Sequence, residues 1–185
     1  MAYNVPSYDT KKFSFGPGVL YLGAPGATPS VDVGAVKGNV EISVDRTILP
    51  VYQGSPQSKV EQYVTKEEVT IKVTGIEWNL DALCYALGAG TTTGIGSYQE
   101  KLEFGGSMTV ANRALRFLHR TPDGSTIDIH FFKVESAGKF SLTLNEADMH
   151  EFPYEFHTLE GTTDFEGGAL AASKKHFKII RTVAA

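Results

Sequence analysis

Apolar and polar residues alternate along most of this chain, and near its middle the period changes. Over Glu68–Thr74, Val69, Ile71 and Val73 share one face, and Thr70, Lys72 and Thr74 the other. That is the period of a half-buried strand, with β-branched residues suited to a pleated surface. Gly75 interrupts it, and Asn79 offers an N-cap oxygen. Leu80, Leu83, Cys84 and Leu87 then recur at i, i+3, i+4 and i+7, one stripe of a two-turn helix over about 79–88. Gly88 supplies the left-handed residue that ends it. So short a helix is not stable alone, so its stripe must dock on a sheet, here on the strand before it.

The remaining pattern reads as strands. Val19–Leu22 follows a turn at 15–18. In Asn39–Asp45, Val40, Ile42 and Val44 face inward and Glu41, Ser43 and Asp45 outward. Lys101–Phe104, Lys139–Leu144 and His176–Val183 are further short strands, the last basic on one side. Arg113–Arg120 and Thr126–Val134 flank Pro122-Asp123-Gly124, which suits a three-residue hairpin loop with glycine at the left-handed position. That loop pairs Leu115, Phe117 and His119 with Phe131, Ile129 and Ile127. It also puts Asp128 diagonal to Arg116 and Arg120, an ionic cluster rather than a nucleic-acid site. Glu151–His157 sets Phe152, Tyr154 and Phe156 on one face, and Pro153 marks an edge or a bulge. Ala89–Ser97 reads as a Gly/Thr linker, and residues 1–15 as an N-terminal arm. Residues 46–66, with Pro50, Gly54 and Pro56, are too long for an ordinary connection. They predict a long protruding loop or hairpin, ordered by a partner.

At 185 residues the chain reads as one mainly β domain with a single short helix, large enough to bury a core without disulfides. The single cysteine, Cys84, falls on the helix stripe and reads as a buried structural thiol. The net charge of −4 is uneven: residues 173–185 carry four cations and no acid, leaving −8 elsewhere. Residues 143–166 carry seven acids and no Lys or Arg, so the basic C-terminal segment is expected to dock there. An acidic chain is poorly suited to gripping phosphates. The five histidines lack the close pairing of zinc motifs. Gly88–Gly94 follows a helix, unlike a phosphate loop, and no nucleophile motif is present. No enzyme activity, metal or cofactor is expected. There is no apolar run of membrane-spanning length, and the N-terminus lacks the charged-then-apolar order of a signal peptide. Synthesis in a cytoplasm and no membrane partner are therefore expected.

Several stretches together resemble the major tail tube protein of long-tailed, siphovirus-like bacteriophages. They are Gly16-Pro-Gly-Val-Leu-Tyr-Leu-Gly23, Val33-Gly-Ala-Val-Lys-Gly38, Glu67–Thr74, Glu77-Trp-Asn-Leu80, Ala86-Leu-Gly88 and Phe152-Pro-Tyr-Glu-Phe156. The resemblance implies a β-sandwich or barrel of tail-tube type. It implies homohexameric rings that stack into a virion tube, partnered by tape-measure, terminator and tip proteins, through which DNA passes without specific binding. It gives Ile48, Val51, Tyr52, Lys59 and Tyr63 of the protruding segment as inter-ring contacts. A conduit should repel DNA weakly, so Glu41, Ser43, Asp45, Thr70, Lys72 and Thr74 are expected to face the lumen, with Lys72 paired to Glu41 or another carboxylate on an adjacent strand. Two other readings share the pattern: a tube or terminator protein of a related particle or secretion system, and a monomeric β-sandwich binding module.

Overall fold

The computed structural model describes residues 18–95, 98–106, 108–137, 141–142 and 149–184. The predicted N-terminal arm, and most of the Lys139–Leu144 strand, lie outside these residues. In chain order the elements are β1 (Gly18–Gly23), β2 (Val31–Asp32), β3 (Val36–Gln53), β4 (Ser58–Gly75), α1 (Leu80–Leu87), β5 (Thr91–Ile95) and β6 (Gln99–Glu103). There follow β7 (Arg113–Arg120), β8 (Thr126–Ser136), β9 (Phe152–Thr158) and β10 (Phe177–Thr182). The fold is mainly β, as expected, with antiparallel pairing throughout.

One sheet runs β2-β1-β7-β8-β9-β4-β3. β8 is its corner: Thr126–Phe131 pair with β10, and Val134–Ser136 pair with β9 along the same side. The sheet curls so that both limbs feed one core. Leu20, Leu22 and Leu115 come from one limb, Val69, Ile71, Val73, Phe152, Tyr154 and Phe156 from the other, and Phe131 and Val134 from the corner. Tyr154 packs on Gly75, where a Cβ would meet its ring at 2.8 Å. Burial pushes the Tyr154 hydroxyl up to about 12.

The β7–β8 register is the one its loop predicts, Leu115 opposite Phe131 through Arg120 opposite Thr126. The Thr121 hydroxyl sits between the Asp123 carboxylate and the Ser125 carbonyl, and Gly124 takes φ 82°. Hydrogen bonds from Thr121 and Ser125 hold the Asp123 carboxyl below its ordinary range. On the other face Arg116 donates to both Asp128 oxygens, at 2.6–3.1 Å. Burial raises the Asp128 pKa, but hydrogen bonding to Arg116 and His130 outweighs it, and the net shift is downward. The stability this supplies is present above the unfolded pKa near ~3.9 and is lost as pH falls through the lower folded value. Asp128→Asn is expected to cost about 1–3 kcal/mol at pH 7, because a half-buried guanidinium loses its charged partner. Denaturation at pH 7 and below pH ~4 checks this: the gap from wild type should shrink in acid.

Several expectations need correction. The helix has the predicted caps: Asn79 accepts from Ala82 N at 3.0 Å, and Gly88 is left-handed at φ 68°. Its buried residues, however, are Ala82, Leu83, Cys84 and Ala86, while Leu80 and Leu87 are half-buried. It packs mainly on β5, β6, β2, β8 and β9 rather than on the preceding β4, so its buried arc turns toward small residues. The Ser136 hydroxyl caps the Ala86 carbonyl. Cys84 is buried, which pushes its thiol pKa up. The supposed linker contains β5, which pairs with β6.

β9 is not an edge, since it pairs with both β4 and β8. Ala137 N donates to Glu155 O, so Pro153, two residues earlier, turns its donorless nitrogen the same way. It lies beyond the last described β8 partner, so no described ladder bond is lost. Val44 is 44% exposed rather than inward-facing. In β10, Lys178 and Arg181 fall on opposite faces rather than one. One cation of the C-terminal segment meets the acidic run: Lys175 Nζ lies 2.6 Å from Glu160.

Candidate assembly surface

β3 and β4 form one antiparallel ladder that runs well past the core. Residues 46–66, expected as a loop or hairpin, are a regular hairpin whose pairs extend to Gln53 opposite Ser58. From Arg46 to its tip the ribbon projects about 23 Å. Register shifts between Thr47 and Ile48, and between Val51 and Tyr52, interrupt it twice. Bulges of this kind twist a ribbon and discourage indiscriminate edge pairing.

The ribbon begins at a charged collar. Arg46 Nε meets Glu67 at 2.8 Å, and Lys66 Nζ meets Glu68 at 2.6 Å. The hydrogen bond and charge of Lys66 hold the Glu68 carboxyl below its ordinary range. Beyond the collar, both faces are apolar and open. Ile48 pairs with Val64, and Tyr52 lies farther out on that face; Leu49 pairs with Tyr63, and Val51 lies on the other. These six and Val60 are each 38–56% exposed. Polar anchors are few: Tyr63 donates to Glu61 at 2.6 Å, and Lys59 to Gln62. A two-stranded ribbon has little stability alone, and large apolar side chains open on both faces mark a contact surface. All five residues expected as contacts, Ile48, Val51, Tyr52, Lys59 and Tyr63, are on this ribbon; Leu49, Val60 and Val64, left out of that expectation, are similarly exposed. Their signal was present as apolar residues on both strand faces, which strict alternation overlooks.

The predicted lumen residues share one face of β3 and β4, with two qualifications. Glu41 lies opposite Lys72, Ser43 opposite Thr70, and Asp45 opposite Glu68. Lys72 Nζ reaches Glu155 of β9 at 3.7 Å, so its partner is a carboxylate on an adjacent strand, as expected. Thr70, however, is only 9% exposed, with its hydroxyl 3.3 Å from His157 Nδ1. His157 also lies 3.1 Å from Glu68, so these two side chains cover Thr70. Thr74 and Ser43 are half-buried. Glu41, Asp45 and Lys72 are thus the exposed members; half-buried Glu155 pairs with Lys72, and exposed Lys37 and Lys66 lie on the same face. Among the described residues no group of His, Cys, Asp or Glu could hold a metal, and no helix is long and apolar enough to cross a membrane.

No protein-family model and no curated protein matches this chain.

Proposed function

We propose that this chain is the repeating subunit of a phage tail tube, forming homohexameric rings that stack into a conduit for DNA during ejection. The observation that carries this reading is the β3–β4 ribbon, whose seven large apolar side chains stand open beyond a charged collar. A ribbon reaching away from its own core can contact a neighbour in the next ring. A heterologous contact of this type does not close on itself, so it adds rings without limit. On the face of Glu41 and Asp45 the cations Lys37, Lys66 and Lys72 are each ion-paired, which supports the conduit role, because a wall poor in free cations does not bind passing phosphates. In this reading the protein is structural, without catalysis or cofactor. It resides in the virion tail, its partners being further copies of itself, a tape-measure protein inside the tube, and terminator or tip proteins at its ends. Sedimentation of the purified chain over a range of concentrations tests the proposal. Species far heavier than the 20.1 kDa subunit are expected as concentration rises, and a monomer at every concentration would contradict it.

A further inference from the structure

The sheet is curled but not closed. Its seam lies between β3 and the β1–β7–β8 limb, and a groove of about 680 Å³ runs along it. Val36, Val40 and Ile42 of β3 form one wall, and Phe117 and Ile129 the other. All five pack against the core, yet each is only half-buried. Glu41 lines the same groove and is exposed. Lys72, opposite it on β4, turns to Glu155 instead, leaving the Glu41 carboxylate open among the described residues. The groove has the size of a ligand pocket, and covering its apolar walls is favourable.

The outer half of the β3–β4 ribbon is complementary to it. Val51, Tyr52 and Val60 are exposed there. Lys59 stands exposed beside them, its ammonium on the neutral Gln62 side chain. Apolar side chains thus match apolar walls, and a cation matches the Glu41 carboxylate. The ribbon is two strands wide, so it can enter a groove that a flat patch could only cover. A subunit cannot fill its own groove in this way. Tyr52 lies twelve residues beyond Val40 on the same strand, about 40 Å away, and the ladder with β4 holds that strand extended. The surface that gives and the surface that receives differ, so an engaged pair still has a free ribbon at one end and a free groove at the other.

We propose that the groove receives the ribbon tip of a second copy, with Val51, Tyr52 and Val60 against Val36, Val40, Ile42, Phe117 and Ile129, and Lys59 near Glu41. The proposal rests on the reading of the ribbon as a contact between copies and adds the surface that receives it. Two variants test it, both in a Cys84→Ala background. The acceptor carries Val40→Cys with Val51–Val60 replaced by Asn-Gly, and the full-length donor carries Tyr52→Cys. Oxidised together at micromolar concentration with the acceptor in excess, they should give a mixed disulfide as the main product. Its mass tells it from either homodimer, because the acceptor is shorter. A donor carrying Asp81→Cys in place of Tyr52→Cys should give several-fold less. Absence of the mixed disulfide, homodimers alone, or equal yields from the two donors would overturn the proposal. If the acceptor does not fold, a full-length chain carrying both Val40→Cys and Tyr52→Cys decides. A ladder of disulfide-linked oligomers is expected from it, and monomer alone would overturn the proposal. Tubes from the wild-type chain without these cross-links would remove the groove and keep the tube. Cross-links without tubes would keep the groove and remove the tube.

Discussion

Replacing Val51–Val60 with an Asn-Gly turn is expected to leave a folded subunit that no longer forms tubes. The removed residues include Val51, Tyr52 and Val60, all exposed and none part of the core. Their loss takes no packing from the sheet, and Asn-Gly-Glu61 makes a three-residue loop that keeps Pro50 opposite Gln62. What disappears is the outer half of the apolar reach, Val51, Tyr52 and Val60, while Ile48, Leu49, Tyr63 and Val64 remain above the collar. A single change should act in the same direction. Tyr63→Asp alters stability by no more than about 0.5 kcal/mol, as exposed substitutions generally do. It nonetheless places a charge where a neighbour's apolar surface would sit. Circular dichroism checks the fold, and sedimentation the assembly. Normal tubes from the turn replacement would remove the ribbon from the assembly mechanism.

Leu83→Ala is expected to destabilise the subunit by about 2–5 kcal/mol, the range for emptying a packed core site. Leu83 is 4% exposed and belongs to the main core with Val73 and Phe152. Asp81, two residues earlier, is exposed and accepts a hydrogen bond from Thr92. Asp81→Ala removes that bond and a favourable charge in the first helical turn, together less than about 1 kcal/mol. Chemical denaturation of both variants separates the cases. Equal losses would mean that α1 presents a different face to the core than Leu83 indicates.

The parts of the fold that were legible in the sequence are those where one local rule decides. Val69, Ile71 and Val73 against Lys72 and Thr74 define β4, and Asn79 and Gly88 define the ends of α1. Pro122-Asp123-Gly124 fixes the β7–β8 register because a slip would turn Leu115 and Phe131 to the other face. Where small residues or two neighbours decide, the reading fails. Ala82 and Ala86 carry little hydrophobic signal, yet they are buried because the helix is enclosed from several sides. β5 is Thr- and Gly-rich, and only its pairing with β6 makes it a strand. Pro153 suggested an edge, but one strand can pair on both sides over different lengths, and its nitrogen falls past the shorter ladder. In the candidate surface, prolines and apolar residues on both faces obscured the continuous ladder of residues 46–66. Thr70 was read as outward from its parity alone, which says nothing of a side chain such as His157 folding over it.

Negative-stain electron microscopy of the purified chain tests the central claim most directly. The account predicts tubes built from stacked six-fold rings, lost when Val51–Val60 is replaced. A uniform field of ~20 kDa particles at every concentration and salt condition, behaving as the monomer its 20.1 kDa mass allows, would contradict it.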